Sequence, residues 1–311
     1  MNPEGPAKQQ LVCAEAQAGP SSWEEFTPDV SESRSASYRF RCPHSGSFHC
    51  TLTGLVFVVD QKAELQYNIN QWNEDLVGSA GRSPAGPLFR IECPENAICK
   101  LHLPHCETKH GQRPGNLSVA QIADDGMSFI GPLEITDTHV VINVLHLSAF
   151  GLVSPFQQWF TSKSARGQVL LFIAPPNLKT KQQKLNVLLL PCNIPVDEVQ
   201  RKQWNAKRYI KAPTDCELIQ SQSYRVACPN ACIIQPEKAT FTLSFGPNYH
   251  PTFEIRLPMS MQRVTLTLKD QKNKEIWKNE VHLTDPAVSE DSQPRSQQNV
   301  SLEDESFSDL D

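Results

Sequence analysis

One aliphatic stretch near the middle of this chain, residues 138–153, has the sequence THVVINVLHLSAFGLV. Its β-branched and aliphatic residues predict a buried or half-buried strand. Inside that strand lie His146, Leu147 and Ser148. A serine hydroxyl on a strained strand can attack the preceding carbonyl when an imidazole takes its proton, so these residues have the parts for self-cleavage. The tripeptide alone is weak support, because serine and histidine are common in strands.

Short strand patterns surround this stretch on both sides. Apolar and polar residues alternate in segments such as residues 63–70 and 263–269, and turn signals separate such segments roughly every 8 to 12 residues. This spacing is typical of an all-β sandwich or barrel. We therefore predict two β-rich domains, at residues 36–150 and 151–284, with one short helix that starts near Pro195.

The two ends of the chain have a different composition. Residues 1–35 are rich in Pro, Glu, Ser, Ala and Gln, which predicts a disordered leader. A second interpretation is that residues 23–28, WEEFTP, dock on the first domain. Residues 285–311 are mostly Ser, Gln, Asp and Glu, which predicts a disordered acidic tail.

Composition excludes several classes of protein. The net charge of −5 gives no global signal for nucleic acid. No apolar run approaches the roughly 20 residues that span a bilayer, and the N-terminus lacks the apolar core of a secretory signal. The ten cysteines are therefore expected to be reduced thiols in the cytosol, with the nucleus left open as a second compartment.

The sequence disfavours two kinds of chemical site. Cys106 lies near His102, His105 and His110, a zinc-like set of ligands, but buried thiols are the commoner interpretation. We predict no metal and no cofactor. A multi-turnover hydrolase is disfavoured because the chain has no Gly-x-Ser-x-Gly elbow and no Gly-rich phosphate loop.

Several motifs together resemble a known tandem of domains. A ZU-type β-sandwich is suggested by residues 83–91 (SPAGPLFRI), 101–105 (LHLPH), 123–127 (ADDGM) and the stretch ending at Ser148. The UPA-type domain that follows it in relatives is suggested by residues 187–192 (VLLLPC) and 235–244 (QPEKATFTLS). The tandem resembles the function-to-find domain (FIIND) of inflammasome sensors and related caspase-recruitment-domain proteins. The resemblance implies two antiparallel β-sandwiches and covers roughly residues 20–284.

The resemblance also implies a mechanism and partners. The family cleaves itself before a serine in the last strand of the first domain, which places the bond between Leu147 and Ser148 with Ser148 as the nucleophile. The two halves stay associated until the N-terminal one is removed. The freed UPA-type half, which self-associates in relatives, then helps a death-fold domain to activate a caspase. Cytosolic dipeptidyl peptidases restrain some members.

This sequence departs from the family pattern at three places. Leu147 stands where phenylalanine is more usual, and Gln121 stands where some relatives have the catalytic histidine. The base would then be His146, as in relatives with a His-Phe-Ser form. No caspase-recruitment pattern follows residue 284, so the chain is expected to be a fragment, an alternative product or a decoy.

Two functions stay open. The first is a regulatory module of innate immune signalling that matures by a single self-cleavage, which is enzymatic only in that one-turnover sense. The second is a non-cleaving scaffold that binds a partner, as in the ankyrin and netrin-receptor relatives of these domains.

Overall fold

A computed structural model describes residues 23–31, 36–108, 116–156, 163–203, 208–246 and 248–284. Most of these residues lie in strands, and the two helices among them are short. The prediction of an all-β chain with two tandem antiparallel sandwich domains is confirmed. Within the described ranges, no helix has the length and apolar character needed to cross a membrane.

The first domain consists of two sheets packed face to face. Its elements are β1 (Glu24–Phe26), β2 (Asp29–Ser31), β3 (Ser37–Cys42), β4 (Gly46–Cys50), β5 (Val56–Val59), β6 (Ala63–Asn70), α1 (Glu74–Ser79), β7 (Arg82–Glu92), β8 (Ile98–Pro104), β9 (Ser118–Ala123), β10 (Gly126–Ile130), β11 (Glu134–Ile135), β12 (His139–Asn143) and β13 (Ala149–Pro155). One sheet has the order β1-β4-β5-β8-β12-β11, and the other has the order β10-β9-β13-β7-β6-β3-β2. The pairing of β1 with β4 is parallel, and the other pairings of this domain are antiparallel.

The second domain has the same two-layer construction. Its elements are β14 (Ser164–Ile173), β15 (Gln182–Pro191), α2 (Val196–Lys202), β16 (Arg208–Ile210), β17 (Asp215–Ile219), β18 (Ser223–Ala227), β19 (Ile233–Gln235), β20 (Ala239–Thr240), β21 (Phe253–Pro258), β22 (Arg263–Asp270) and β23 (Glu275–His282). One sheet has the order β16-β14-β15-β21-β19, with β17 also paired to β14, and the other has the order β20-β18-β22-β23. The helix predicted near Pro195 is confirmed as α2, with Pro195 as its N-cap residue.

Apolar side chains form three clusters. One fills the first sandwich and one fills the second. The third joins the domains, because alternate residues of β14 and β15 turn away from their own core. It is built from Trp72, Val77, Leu88, Ala120, Ala149 and Val153 of the first domain and from Leu170, Phe172, Leu188, Leu190, Ile194, Val199, Phe245 and Tyr249 of the second. Apolar burial therefore holds the two sandwiches against each other.

The leader prediction is wrong for residues 23–31. These residues form β1 and β2, which pair with β4 and β3. Phe26 is buried in the first core, so the second interpretation, a segment docked on the first domain, agrees with the structure. The rest of the predicted leader and the predicted acidic tail lie outside the described residues.

The predicted boundary between the domains also falls in the wrong place. It was set between residues 150 and 151, but these two residues lie inside β13. This strand belongs to the seven-stranded sheet of the first domain, where it pairs with β7 and β9. Long-range pairing therefore moves the end of the first domain past Pro155.

Candidate functional site

The predicted strand over residues 138–153 is two strands separated by a bend. β12 ends at Asn143 and β13 begins at Ala149. The strands belong to opposite sheets of the sandwich, so the chain has to cross between the sheets at this point. The prediction that His146, Leu147 and Ser148 lie within a strand is wrong, because these residues form the crossing.

Hydrogen bonds hold the backbone of this bend on both sides of the Leu147–Ser148 bond. The side-chain amide of Gln121 donates to the carbonyl oxygen of His146 at 2.9 Å. The backbone N–H of Ile91 donates to the carbonyl oxygen of Ser148 at 3.0 Å. The peptide between Leu147 and Ser148 is therefore fixed between two anchored carbonyl groups.

The side chains of the bend have contrasting surroundings. Leu145 is 86% exposed, whereas Leu147 packs against the first core. The Ser148 Oγ atom is buried and has no hydrogen-bond partner among the described residues. His146 is exposed and does not contact that hydroxyl through a hydrogen bond. The expectation that residues two apart share a face fails here, because it applies to strands.

An open groove of about 350 Å³ lies beside Ser148. This Ser148 groove is lined by residues 90–94, 122–124 and 147–149. Its charged residues are Arg90, Glu92 and Asp124. Burial raises the pKa of the Cys93 thiol, which also lines the groove. Cys93 is therefore protonated at neutral pH and does not compete as a nucleophile.

Gln121 has a role that the sequence analysis missed. It was noted only as a residue standing where some relatives have histidine. In the structure it lies on β9 opposite Phe150, and it is the donor that fixes the His146 carbonyl group. The sequence carries no signal for this contact, since the two residues are 25 positions apart.

The backbone of the bend is free of left-handed strain. The described non-glycine residues with positive φ are Asn96, Lys181, Ser221, Asn230 and Asn273. All five lie outside the bend. A strained strand was expected to assist the attack, but the structure offers fixed carbonyl groups and a buried, unpaired hydroxyl group instead.

Among the described residues, the histidines near Cys106 are not arranged as a metal site. Across the described part of the chain, no three His, Cys, Asp or Glu side chains converge as metal ligands. The ring of His105 lies within 3.0 Å of the Thr136 carbonyl oxygen at Nε2, and it accepts a bond from the Glu107 N–H at Nδ1. Burial lowers the pKa of His105, so it is a neutral, structural residue. His110 lies outside the described residues.

Ser148 directly precedes a central strand. Six of the seven residues of β13 are buried, and both edges of the strand are paired. At Gly151 a Cβ atom would lie 2.6 Å from the Cη2 atom of Trp72 and 3.1 Å from the Pro87 carbonyl oxygen. The surroundings of β13 are therefore closely packed as well as hydrogen-bonded to it.

Comparison with known families agrees with this architecture. The family model described as "Function to find", FIIND, matches residues 31–160. The model described as "UPA-FIIND domain" matches residues 165–281. The end of the first match and the start of the second both follow β13, as the observed domain boundary does.

Two curated relatives are rodent proteins. The chain is 23% identical over 253 residues to mouse "NACHT, LRR and PYD domains-containing protein 1b allele 5", covering 77% of this chain and 21% of that protein. It is 31% identical over 121 residues to rat "NACHT, LRR and PYD domains-containing protein 1a allele 1", covering 37% and 10%. The chain therefore spans between a tenth and about a fifth of the length of these relatives.

Proposed function

This chain belongs to the FIIND family, with a FIIND domain followed by a UPA-FIIND domain, and we propose that it is a regulatory module of inflammasome signalling that cuts itself between Leu147 and Ser148. The observation that carries the proposal is the position of this bond. It directly precedes β13, which lies between β7 and β9. A cut there leaves the first strand of the C-terminal piece inside the sheet of the N-terminal piece.

The proposed reaction is an acyl shift followed by hydrolysis. The Ser148 Oγ atom forms a bond to the Leu147 carbonyl carbon as the C–N bond between the two residues breaks. The hydroxyl proton passes through a base to the departing nitrogen atom. Water then hydrolyses the ester, leaving a carboxylate on Leu147 and a free amine on Ser148. The open Ser148 groove gives this water a path to the bond.

His146 is the proposed base. Its side chain is exposed, so it can change rotamer within nanoseconds. Catalytic hydrogen bonds are often unformed in a resting structure and close only during the reaction. The hydrogen bond from Gln121 fixes the His146 carbonyl group, which limits how far the backbone can move while the ring turns. The cut consumes the Leu147–Ser148 peptide bond, so the activity is a single turnover.

The cut pieces are proposed to stay together and to separate only when the N-terminal piece is removed. The third apolar cluster supports this, because it contains side chains from both domains. Removing residues 1–147 would uncover the second domain's share of that cluster. We infer that this half then associates with itself or with caspase-recruiting partners in the cytosol, and that a dipeptidyl peptidase restrains it.

A non-cleaving scaffold is the second candidate, and one observation favours it. The Ser148 Oγ atom lacks a base within hydrogen-bond distance among the described residues, and the position of the catalytic histidine in some relatives holds Gln121. In this interpretation the paired sandwiches bind a partner without being cut.

Expression with a different tag at each end separates the two candidates. Self-cleavage predicts pieces of 147 and 164 residues that disappear in Ser148→Ala. Loss of cleavage in His146→Ala as well would support His146 as the base. Ser154→Ala is the matched control, because Ser154 is a buried serine of β13, and it should be cut like the parent chain. If the parent chain and every variant stay intact, the non-cleaving scaffold is the function that this experiment supports.

A further inference from the structure

One nine-residue segment, residues 23–31, closes both sheets of the first domain on the same side. We call this segment the strap. Its first strand, β1, extends the six-stranded sheet beside β4, and its second strand, β2, extends the seven-stranded sheet beside β3. Each of these strands pairs along one edge only within the described residues. The strap is therefore bound as an extended peptide is bound in strand addition.

Phe26 is the main apolar anchor of the strap. Its side chain is 6% exposed and stacks on Phe40 with ring centroids 3.9 Å apart. Its carbonyl oxygen accepts a hydrogen bond from the backbone N–H of Thr51 at 2.9 Å. The Phe26 position is thus a pocket in the first core that a side chain from the strap fills.

Trp23 is the second anchor, and it rests on a platform of histidine rings. Its ring centroid lies 5.3 Å from that of His49, 5.7 Å from that of His139 and 6.4 Å from that of His102. Burial, followed by the nearby His139 and Lys100, lowers the pKa of His102 to about 4. Burial also lowers the pKa of His139. His102 and His139 are therefore uncharged aromatic rings at neutral pH, which suit contact with an indole ring.

Two acidic residues of the strap lie near histidines. Glu24 lies 3.4 Å from His44, and Glu25 lies 3.7 Å from His49. Where the strap passes from β1 to β2, it leaves an open cavity of about 410 Å³ lined by residues 27, 29 and 39–41, which include Arg39 and Arg41. Arg39 and Arg41 both pair with Glu64, at 3.1 Å and 2.9 Å, so the contacts made by Glu24 and Glu25 are those to the two histidines.

The family model matches from residue 31, so residues 23–30 lie before the matched range. We propose that the edges of β3 and β4 that the strap covers form a binding site for an extended peptide of a partner protein with the pattern aromatic-acid-acid-phenylalanine. The strap fills this site in cis, and the partner peptide competes with it. The proposal is independent of cleavage at Ser148.

Competition has a measurable consequence. A tethered segment has an effective concentration in the millimolar range when its linker is short. A free peptide therefore binds weakly to the parent chain and more tightly to a chain whose own strap is impaired. Phe26→Ala removes the main anchor, and Trp23→Ala removes the half-buried one with less risk to the core.

The experiment measures fluorescence anisotropy of a labelled peptide with the sequence of residues 21–33, titrated with the full chain. We expect the peptide to bind the Phe26→Ala and Trp23→Ala chains at least about tenfold more tightly than the parent chain. The same peptide with Phe26→Ala should show no saturable binding. Thermal unfolding of each chain establishes that the variants are folded.

Phe129→Ala is the matched control chain, because Phe129 is 39% exposed on β10, at the opposite edge of the seven-stranded sheet from β2. It should bind the peptide as weakly as the parent chain. Equal binding to all four chains would overturn the proposal, and so would binding of the substituted peptide. A dimer of the parent chain that is lost in Phe26→Ala would assign the site to a second copy and overturn the partner assignment.

Discussion

β13 is a single strand and the strap contributes two, β1 and β2, and these strands are held differently. β13 pairs with β7 on one edge and with β9 on the other. The strap pairs along one edge in each sheet. All residues of β13 except Pro155 are buried, whereas Phe26 is the one buried residue within β1 and β2.

This difference predicts what a backbone cut does at each place. A strand with two paired edges and two buried faces stays in its sheet without a covalent link, because leaving would break two ladders at once. A strand with one paired edge breaks a single ladder and can be replaced by a similar peptide. Cleavage before β13 is thus compatible with two halves that stay associated. The strap, in contrast, is suited to replacement by a similar peptide.

The largest expected effect comes from disturbing the packing around β13. In Gly151→Val the new side chain meets the Trp72 ring and the Pro87 carbonyl group, and we expect a loss of about 3 kcal/mol or more in the free energy of unfolding. Denaturant titration measures it. Gly78→Ala is the control, because nothing lies within 4 Å of a Cβ atom there. A Gly151→Val chain as stable as the parent would show that β13 is loosely packed.

The second effect concerns the contact between the domains. The buried Asn193 side chain of the second domain donates to the carbonyl oxygens of Ala85 at 3.1 Å and Pro104 at 3.2 Å. Asn193→Ala leaves both acceptors unpaired and should cost about 1–3 kcal/mol. The measurement is again denaturant unfolding. Asn279→Ala should change little, since Asn279 makes an exposed bond of 3.4 Å. Equal results for both variants would contradict a tight interface.

The third effect tests the bend that leads into β13. Gln121→Ala removes the hydrogen bond to the His146 carbonyl oxygen and should lower the free energy of unfolding by about 1 kcal/mol. If the chain cuts itself, the rate of cutting should fall as well, because the bend is less fixed. Gln66→Ala removes a weaker exposed bond of 3.4 Å and should leave both quantities unchanged. An unchanged rate of self-cleavage in Gln121→Ala would show that Gln121 does not contribute to the reaction.

The smallest effect concerns the histidines under the strap. His102 has a folded-state pKa of about 4, below its ordinary value of 6.5. The unfolded chain therefore binds protons that the folded chain does not, and stability falls as the pH decreases from about 6.5 towards 4. Denaturant unfolding at pH 7 and pH 5 should show this decrease, with a shallower one in His102→Phe. The same slope in both chains would assign the pH dependence to other groups.

The local sequence pattern was sufficient to predict the general architecture. Alternation along residues 63–70 and 263–269 predicted strands that the structure contains as β6 and β22, because a period of two is a local property of a half-buried strand. Pro195 predicted the start of α2 for the same local reason.

Long-range contacts explain what the sequence analysis missed. Residues 138–153 are mostly aliphatic on both sides of the bend, so the pattern does not show that β12 and β13 belong to different sheets. The bend between them is set by hydrogen bonds from Gln121 and Ile91, which are far away in sequence. The same holds for the strap, where residues 23–28 were interpreted as a segment that docks on the first domain but the strands they pair with were not predicted.

The most direct test of the central claim is native affinity purification of the doubly tagged chain after cleavage. We expect either tag to recover both pieces in equal amounts under native conditions, and we expect the pieces to separate only in concentrated guanidinium chloride. Ser148→Ala should give a single intact chain in both buffers. Pieces that separate in native buffer would contradict the claim that β13, rather than the backbone bond, holds the halves together.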